Sequence, residues 1–184
     1  MTRILGLCGS LRVASLNALL LGAIARVAPE GTRLETYAGV GHLPLFNADL
    51  DPEAIPAVVS LRSALNAADG VLIASPEYAH GVSGVMKNAL DWMVAKETFV
   101  GKPVGVLNAS PRASLAQAAL RETLVTMSAR IIEDACLAVP LLGRASTLDS
   151  LAADPAFVAS ARRALAALTA AAEGAAEAAP VAPV

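Results

Sequence analysis

Val71-Leu72-Ile73-Ala74 lies near the middle of the chain, between Asp69-Gly70 and Ser75-Pro76. It holds four consecutive apolar residues, two of them β-branched, with turn formers on both sides. Such a run reads as a strand buried on both faces. Strands of that kind belong to parallel sheets covered by helices above and below.

Working outward, the same alternation repeats. Before this strand, Pro52 to about Ala68 has helical spacing, Gly39 to Asp51 reads as a long loop, and Arg33 to Tyr37 reads as a strand. Earlier still, Ser15 opens a helix with Leu16, Leu19, Leu20, Ala23, Ile24 and Val27 on one face. Pro29 and Gly31 stop it. Thr2 to Cys8 is a short apolar strand ending at Gly9. After the central strand come a helix from Val85 to Val94, a strand from Pro103 to Leu107 and a helix from Ser114 to about Ser128. A strand from Ala135 to Val139 follows, and Asp154-Pro155 opens a last helix reaching about Ala172. Alternating strands and helices predict an α/β domain of three layers, with helices on both faces of a parallel sheet. Five strands suit the flavodoxin-like order 2-1-3-4-5. The expected domain covers residues 1–173, and residues 174–184, rich in Ala and Pro, read as a fraying tail.

Composition narrows the function. The 184 residues are 55% hydrophobic and 16% charged, with a formal net charge of −2. That excludes a disordered chain, and the absence of a basic run excludes a nucleic-acid surface. No apolar stretch is long enough to span a membrane. Met1-Thr2-Arg3 leads straight into the first strand with no signal-peptide pattern, so the expected location is the cytoplasm. Cys8 and Cys136 then fit as small buried apolar groups.

In open α/β sheets, ligands sit beyond the carboxyl ends of the strands, where strand order reverses. The loops expected there are Gly9 to Asn17 and Ser75 to Gly84. The first, Gly9-Ser10-Leu11-Arg12-Val13-Ala14-Ser15-Leu16-Asn17, joins a strand to a helix start, whose free N–H groups and dipole favour an anion. Ser10 and Ser15 add hydroxyls, Arg12 a guanidinium able to grip phosphate through two hydrogen bonds, and Asn17 an amide. Ser15 also serves as the helix cap. The set suits a terminal monophosphate. Neither the dinucleotide nor the Walker glycine pattern is present.

The second loop runs Ser75-Pro76-Glu77-Tyr78-Ala79-His80-Gly81-Val82-Ser83-Gly84 and continues to Lys87-Asn88-Ala89-Leu90-Asp91-Trp92. Taken with the first loop, it resembles the NAD(P)H-dependent FMN reductase family, which includes FMN-dependent quinone, chromate and azo-compound reductases. The resemblance extends to about Leu142. It implies FMN as cofactor and NADPH or NADH as co-substrate, with electrons passing to a small-molecule acceptor: free flavin, quinone, metal oxyanion or azo compound. It implies flavin contacts from Ser10, Arg12, Ser15, Leu16 and Asn17, and a ring edge lined by Pro76, Glu77, Tyr78 and Ala79. It also implies a homo-oligomer, dimer or tetramer, through the helix carrying Asp91 and Trp92.

Two departures stand out. Ala79 replaces the family's usual asparagine, removing an amide, and Ser83-Gly84 replaces a Pro-Gly, which predicts a looser loop. A third loop, Asn108-Ala109-Ser110-Pro111-Arg112-Ala113-Ser114, offers Ser110 to the ring edge. Arg112 has two readings, a solvent-facing charge or a contact to nicotinamide phosphates. His80 and His42 make no metal site, and no catalytic residue is expected, because the cofactor carries the chemistry. Lys87 and Asn88 read as packing residues. The rival reading is a non-catalytic electron carrier of the flavodoxin type. The modest acidity and the 3% aromatic content argue against it.

Overall fold

The computed structural model describes residues 1–110, 113–143 and 145–178, with side chains described to Gly174. Along the chain run β1 (Thr2–Cys8), α1 (Leu16–Arg26), β2 (Thr32–Thr36), α2 (Pro56–Ala67) and β3 (Gly70–Ala74). A two-stranded hairpin follows, β4 (Glu77–Tyr78) and β5 (Gly81–Val82), and then α3 (Gly84–Met93), β6 (Pro103–Asn108) and α4 (Leu115–Thr126). The chain continues with β7 (Arg130–Ile131), β8 (Leu137–Ala138), α5 (Leu148–Ala152) and α6 (Pro155–Ala178).

The sheet is parallel, in the order β2-β1-β3-β6, with β7 beside the start of β6 and β8 beside its end. This is the expected flavodoxin-like order, with the fifth position divided in two. Between the halves, Glu133–Ala135 makes a 3-10 turn. There the Ala135 carbonyl comes so close to Gly105 that a Cβ on that glycine would lie 2.6 Å from it. Cys136 Sγ accepts the Val106 N–H at 3.3 Å, so a side chain substitutes for a ladder carbonyl.

The period-2 alternation of β3 creates the two cores. Leu72 and Ala74 face Leu20, Leu21 and Ile24 of α1 and Leu165 and Leu168 of α6. Val71 and Ile73 face Leu61 and Leu65 of α2, Met86 and Leu90 of α3, and Leu120 and Leu124 of α4. These side chains are all fully buried, and each Val, Leu, Ile or Met among them contributes about 1.5–3 kcal/mol through removal from water. That burial makes the sheet a rigid base for the loops at its carboxyl edge.

Several boundaries differ from expectation for local reasons. Pro52–Ala54 is a separate 3-10 turn capped by Asp51, and α2 begins at Pro56. Ile55, forced to an extended conformation by the following proline (φ −110°, ψ 101°), interrupts the helix. The short α5 opens on a Thr147/Ser150 capping box. Gly174 lies within α6, whose many alanines offset one glycine; residues 179–184 of the expected tail lie outside the described residues.

Trp92 was expected to sit partly off the apolar face of α3, toward a partner subunit. It is instead covered by its own chain. Its Nε1 donates to the Pro44 carbonyl at 2.8 Å, and its ring meets Phe46 edge-on at 5.1 Å. Asn88 donates Nδ2 to that same carbonyl at 2.9 Å and accepts the Phe46 N–H at 2.8 Å. The Lys87-to-Trp92 segment therefore fastens residues 44–46, while Lys87 and Asp91 pair on the surface at 2.6 Å.

Candidate active site

Three loops leave the carboxyl ends of β1, β3 and β6 and enclose a cleft of about 290 Å³. The first begins at Gly9, whose N–H donates to the Ala74 carbonyl at 2.8 Å. Only glycine fits here. A Cβ would lie 2.7 Å from Ser75 Oγ, 2.8 Å from Ser83 Oγ and 3.0 Å from Met86 Cβ. Ser15 caps α1 through its Oγ, which accepts the Ala18 N–H at 3.2 Å. Leu16 and Asn17 then occupy the first helical turn, where backbone N–H groups lack helical partners. Asn17 is 8% exposed, yet its Oδ1 has no hydrogen-bond partner among the described residues. Arg12 is exposed, and no ion pair among the described residues engages its guanidinium.

The second loop is the β4–β5 hairpin, with Glu77 opposite Val82 and Tyr78 opposite Gly81. Its two turn residues, Ala79 (φ 48°) and His80 (φ 62°), both take the left-handed conformation, as a two-residue hairpin turn demands. Asparagine and glycine accept that backbone most readily; alanine does not. Ala79 is therefore a strained turn residue, and it does not line the cleft.

The hairpin's polar side chains turn to the scaffold. Glu77 Oε2 accepts the Ala116 N–H at 2.9 Å, and Oε1 meets His80 Nδ1 at 3.2 Å. The Ala116 N–H bond, helped by His80, holds the Glu77 carboxyl below the usual carboxylate range against the opposing effect of burial. Ser83 Oγ donates to the Gly9 carbonyl at 2.7 Å and accepts the Met86 N–H at 3.2 Å, capping α3. With that hydroxyl proton committed, Ser75 Oγ is the donor in the 3.2 Å contact to Ser83. The position expected to loosen the loop thus ties it to the first loop. A proline there would have no hydroxyl for these bonds.

In the third loop, Asn108 Oδ1 accepts the Ser110 N–H at 2.9 Å and Nδ2 donates to the Ala113 carbonyl at 3.3 Å. Pro111 and Arg112 lie outside the described residues. The cleft collects Ser10, Arg12, Ser15, Leu16, Asn17, Pro76, Glu77, Tyr78 and Ser110. Of the expected residues, only Ala79 is left out. Sequence reasoning missed Ala14, Ser75, Asn108, Ala109, Ala113 and Leu142. Ser75 and Asn108 could have been found from their places at strand ends. Leu142, beyond the divided fifth strand, carried no signal.

One end of the cleft thus offers a helix N-terminus and a guanidinium that no described residue engages, which suits a phosphate, and beside them the Asn17 amide oxygen, which calls for a hydroxyl or N–H donor. The other offers hairpin backbone and apolar surface, which suits a flat heterocycle with amide-like edges. No cluster among the described residues is fit to hold a metal ion, and no described helix is long and apolar enough to cross a membrane. Residues 2–141 match the family described as NADPH-dependent FMN reductase. The chain is 39% identical over 129 residues to an NAD(P)H-dependent FMN reductase of Pseudomonas aeruginosa, covering 67% of this chain and 69% of that protein. It is 32% identical over 137 residues to a quinone reductase of Escherichia coli, covering 71% and 73%. Among solved structures it superposes on the flavoenzyme NAD(P)H:(acceptor) oxidoreductase FerB of Paracoccus denitrificans with a TM-score of 0.67. Identity there is 26%, with 97% of this chain and 94% of that one covered.

Proposed function

Because the chain belongs to the NADPH-dependent FMN reductase family, we propose that its three-loop cleft seats FMN, phosphate on the first loop and ring against the hairpin. The protein is an NAD(P)H-dependent FMN oxidoreductase serving a small-molecule acceptor, a quinone or free flavin being the acceptor class its relatives suggest. One observation carries the placement: the buried Asn17 amide oxygen, without a partner among the described residues, lies in the same cleft as Arg12 and the start of α1. FMN supplies matching groups, ribityl hydroxyls for an amide oxygen and phosphate oxygens for cationic and N–H donors.

When bound, FMN supplies the hydride-accepting and electron-delivering chemistry. The chain's residues bind and orient. Ser10, Arg12 and the first turn of α1 hold the anion, while Ser15 keeps that turn in place. Pro76, Glu77 and Tyr78 present backbone groups fixed by the hairpin, and fixed N–H donors favour negative charge on a reduced ring without reorganising. Ser110 and Leu142 close the opposite wall. No side chain needs to act as an acid or base.

A homo-oligomer, at least a dimer, fits the surface beside α3. Leu45 is 84% and Phe46 45% exposed on the loop that Asn88 and Trp92 fasten, so two large apolar groups are held toward solvent. The two free thiols fit a reducing compartment such as the cytoplasm. Titrating the FMN-free protein with FMN tests the assignment. Flavin fluorescence should quench to a one-to-one endpoint, and NADH or NADPH oxidation with a benzoquinone should then require the flavin. A titration without quenching would overturn the cleft assignment.

A further inference from the structure

Glu77 performs a task that lining a cleft does not require. The N-cap position of α4 is Ser114, which caps nothing with its side chain and whose backbone is already helical (φ −88°, ψ −42°). The missing cap comes from Glu77, thirty-nine positions back in the chain. One oxygen takes the Ala116 N–H; the other meets His80, in the strained turn of the same hairpin. The Glu77 side chain is only 12% exposed. Its charge lies against the positive end of a helix, an arrangement that holds a carboxylate well. The hairpin lines one side of the cleft, and Asn108, Ala109, Ser110 and Ala113, which precede α4, line another.

We propose that Glu77 is a positioning residue for the bound flavin: its carboxylate ties the hairpin to the start of α4, sets the separation of the two cleft walls, and so fixes the hairpin backbone that meets the ring. This rests on the cleft being the FMN site. A local carboxylate at position 114 would serve the helix equally well. Only a residue from the hairpin also fixes the wall.

Three variants separate the tie from the cap: Glu77→Ala, Glu77→Gln, and Glu77→Ala combined with Ser114→Asp. Each is read by the melting temperature of the FMN-free protein, by the FMN dissociation constant from fluorescence titration, and by the fine structure of the bound flavin's visible absorption. Glu77→Ala should melt lower, bind FMN about tenfold more weakly, because the hairpin backbone is no longer held in place before the ligand arrives, and show a blurred flavin band. Glu77→Gln keeps an acceptor for Ala116 and should recover most of the affinity. The double variant should regain melting temperature without regaining affinity or band shape. A double variant that binds as tightly as wild type would reduce Glu77 to a helix cap, and an unaffected Glu77→Ala would remove its role altogether. Failure of the wild type to bind FMN overturns the cleft assignment, and this proposal with it.

Discussion

The first loop and the hairpin meet in one cleft but use opposite parts of the chain. In residues 9–17 Ser15 caps α1, but two of the side chains lining the cleft have nothing else to do: the Arg12 guanidinium and the Asn17 amide oxygen have no partner among the described residues. In residues 75–84 the polar side chains other than Tyr78 are committed to the scaffold. Glu77 holds α4, Ser83 holds Gly9 and α3, and Ser75 holds Ser83. What the hairpin leaves for a ligand is backbone and the exposed Tyr78 ring. A phosphate is held by whichever donors converge on it, while a ring edge needs donors and acceptors whose spacing does not drift. Side chains suit the first need; a braced hairpin suits the second.

The sharpest way to break this contrast is at the joint between the loops. Gly9→Ala places a Cβ against both serine hydroxyls and Met86. It should cost about 1–3 kcal/mol of stability, the usual range for overpacking, and weaken FMN binding as well. Urea unfolding and flavin titration on the same protein check both. A fully stable variant would mean that the loops are not locked together there.

Arg12→Ala probes the side-chain half. The FMN dissociation constant should rise roughly ten- to a hundredfold, the value of a lost charge-assisted hydrogen bond. The melting temperature of the FMN-free protein should stay where it was, because Arg12 supports nothing else among the described residues. A variant that melts lower but binds equally well would reverse the assignment.

Acid probes the backbone half. Hydrogen bonding depresses the folded-state pKa of Glu77 below the ordinary 4.5. Its contribution is therefore complete above about that pH and is lost as the pH falls through the folded value. The stability advantage of wild type over Glu77→Gln should shrink below pH 4.5, followed by denaturant titration at a series of pH values. A constant difference would show that the charge at position 77 does nothing for the fold.

The smallest effect is expected at Ala79. Replacing it with glycine relieves a left-handed alanine and should stabilise by about 0.5–1 kcal/mol. FMN affinity should not change, since Ala79 is outside the cleft lining. An altered dissociation constant would show that this side chain reaches the ligand after all.

The same contrast explains what was legible in the sequence. The fold could be read because β3 and its neighbours are apolar runs punctuated by turn formers. The first loop could be read because its chemistry lies in its residue types. The hairpin was legible only through resemblance, since backbone recognition leaves no signature in side chains. Glu77's partner, Ala116, is set by tertiary packing and has no local pattern. Trp92 was misjudged for the same reason: the helical wheel of α3 shows which side chains leave its apolar face, but not that residues 44–46 return to cover them. The divided fifth strand turns on the close approach of Ala135 to Gly105, which spacing along the chain does not reveal.

That division has a consequence for the molecule in a crowded solution. A long, flat sheet edge is a template on which another chain can add a strand. Here the far edge is cut into the dipeptides Arg130–Ile131 and Leu137–Ala138, with a helical turn between them and the Cys136 sulfur accepting the Val106 N–H of β6. The opposite edge, β2, is five residues long and carries the charges of Arg33 and Glu35. One border is interrupted and the other short and charged, and in a chain this rich in apolar residues that guards against assembly into fibrous aggregates.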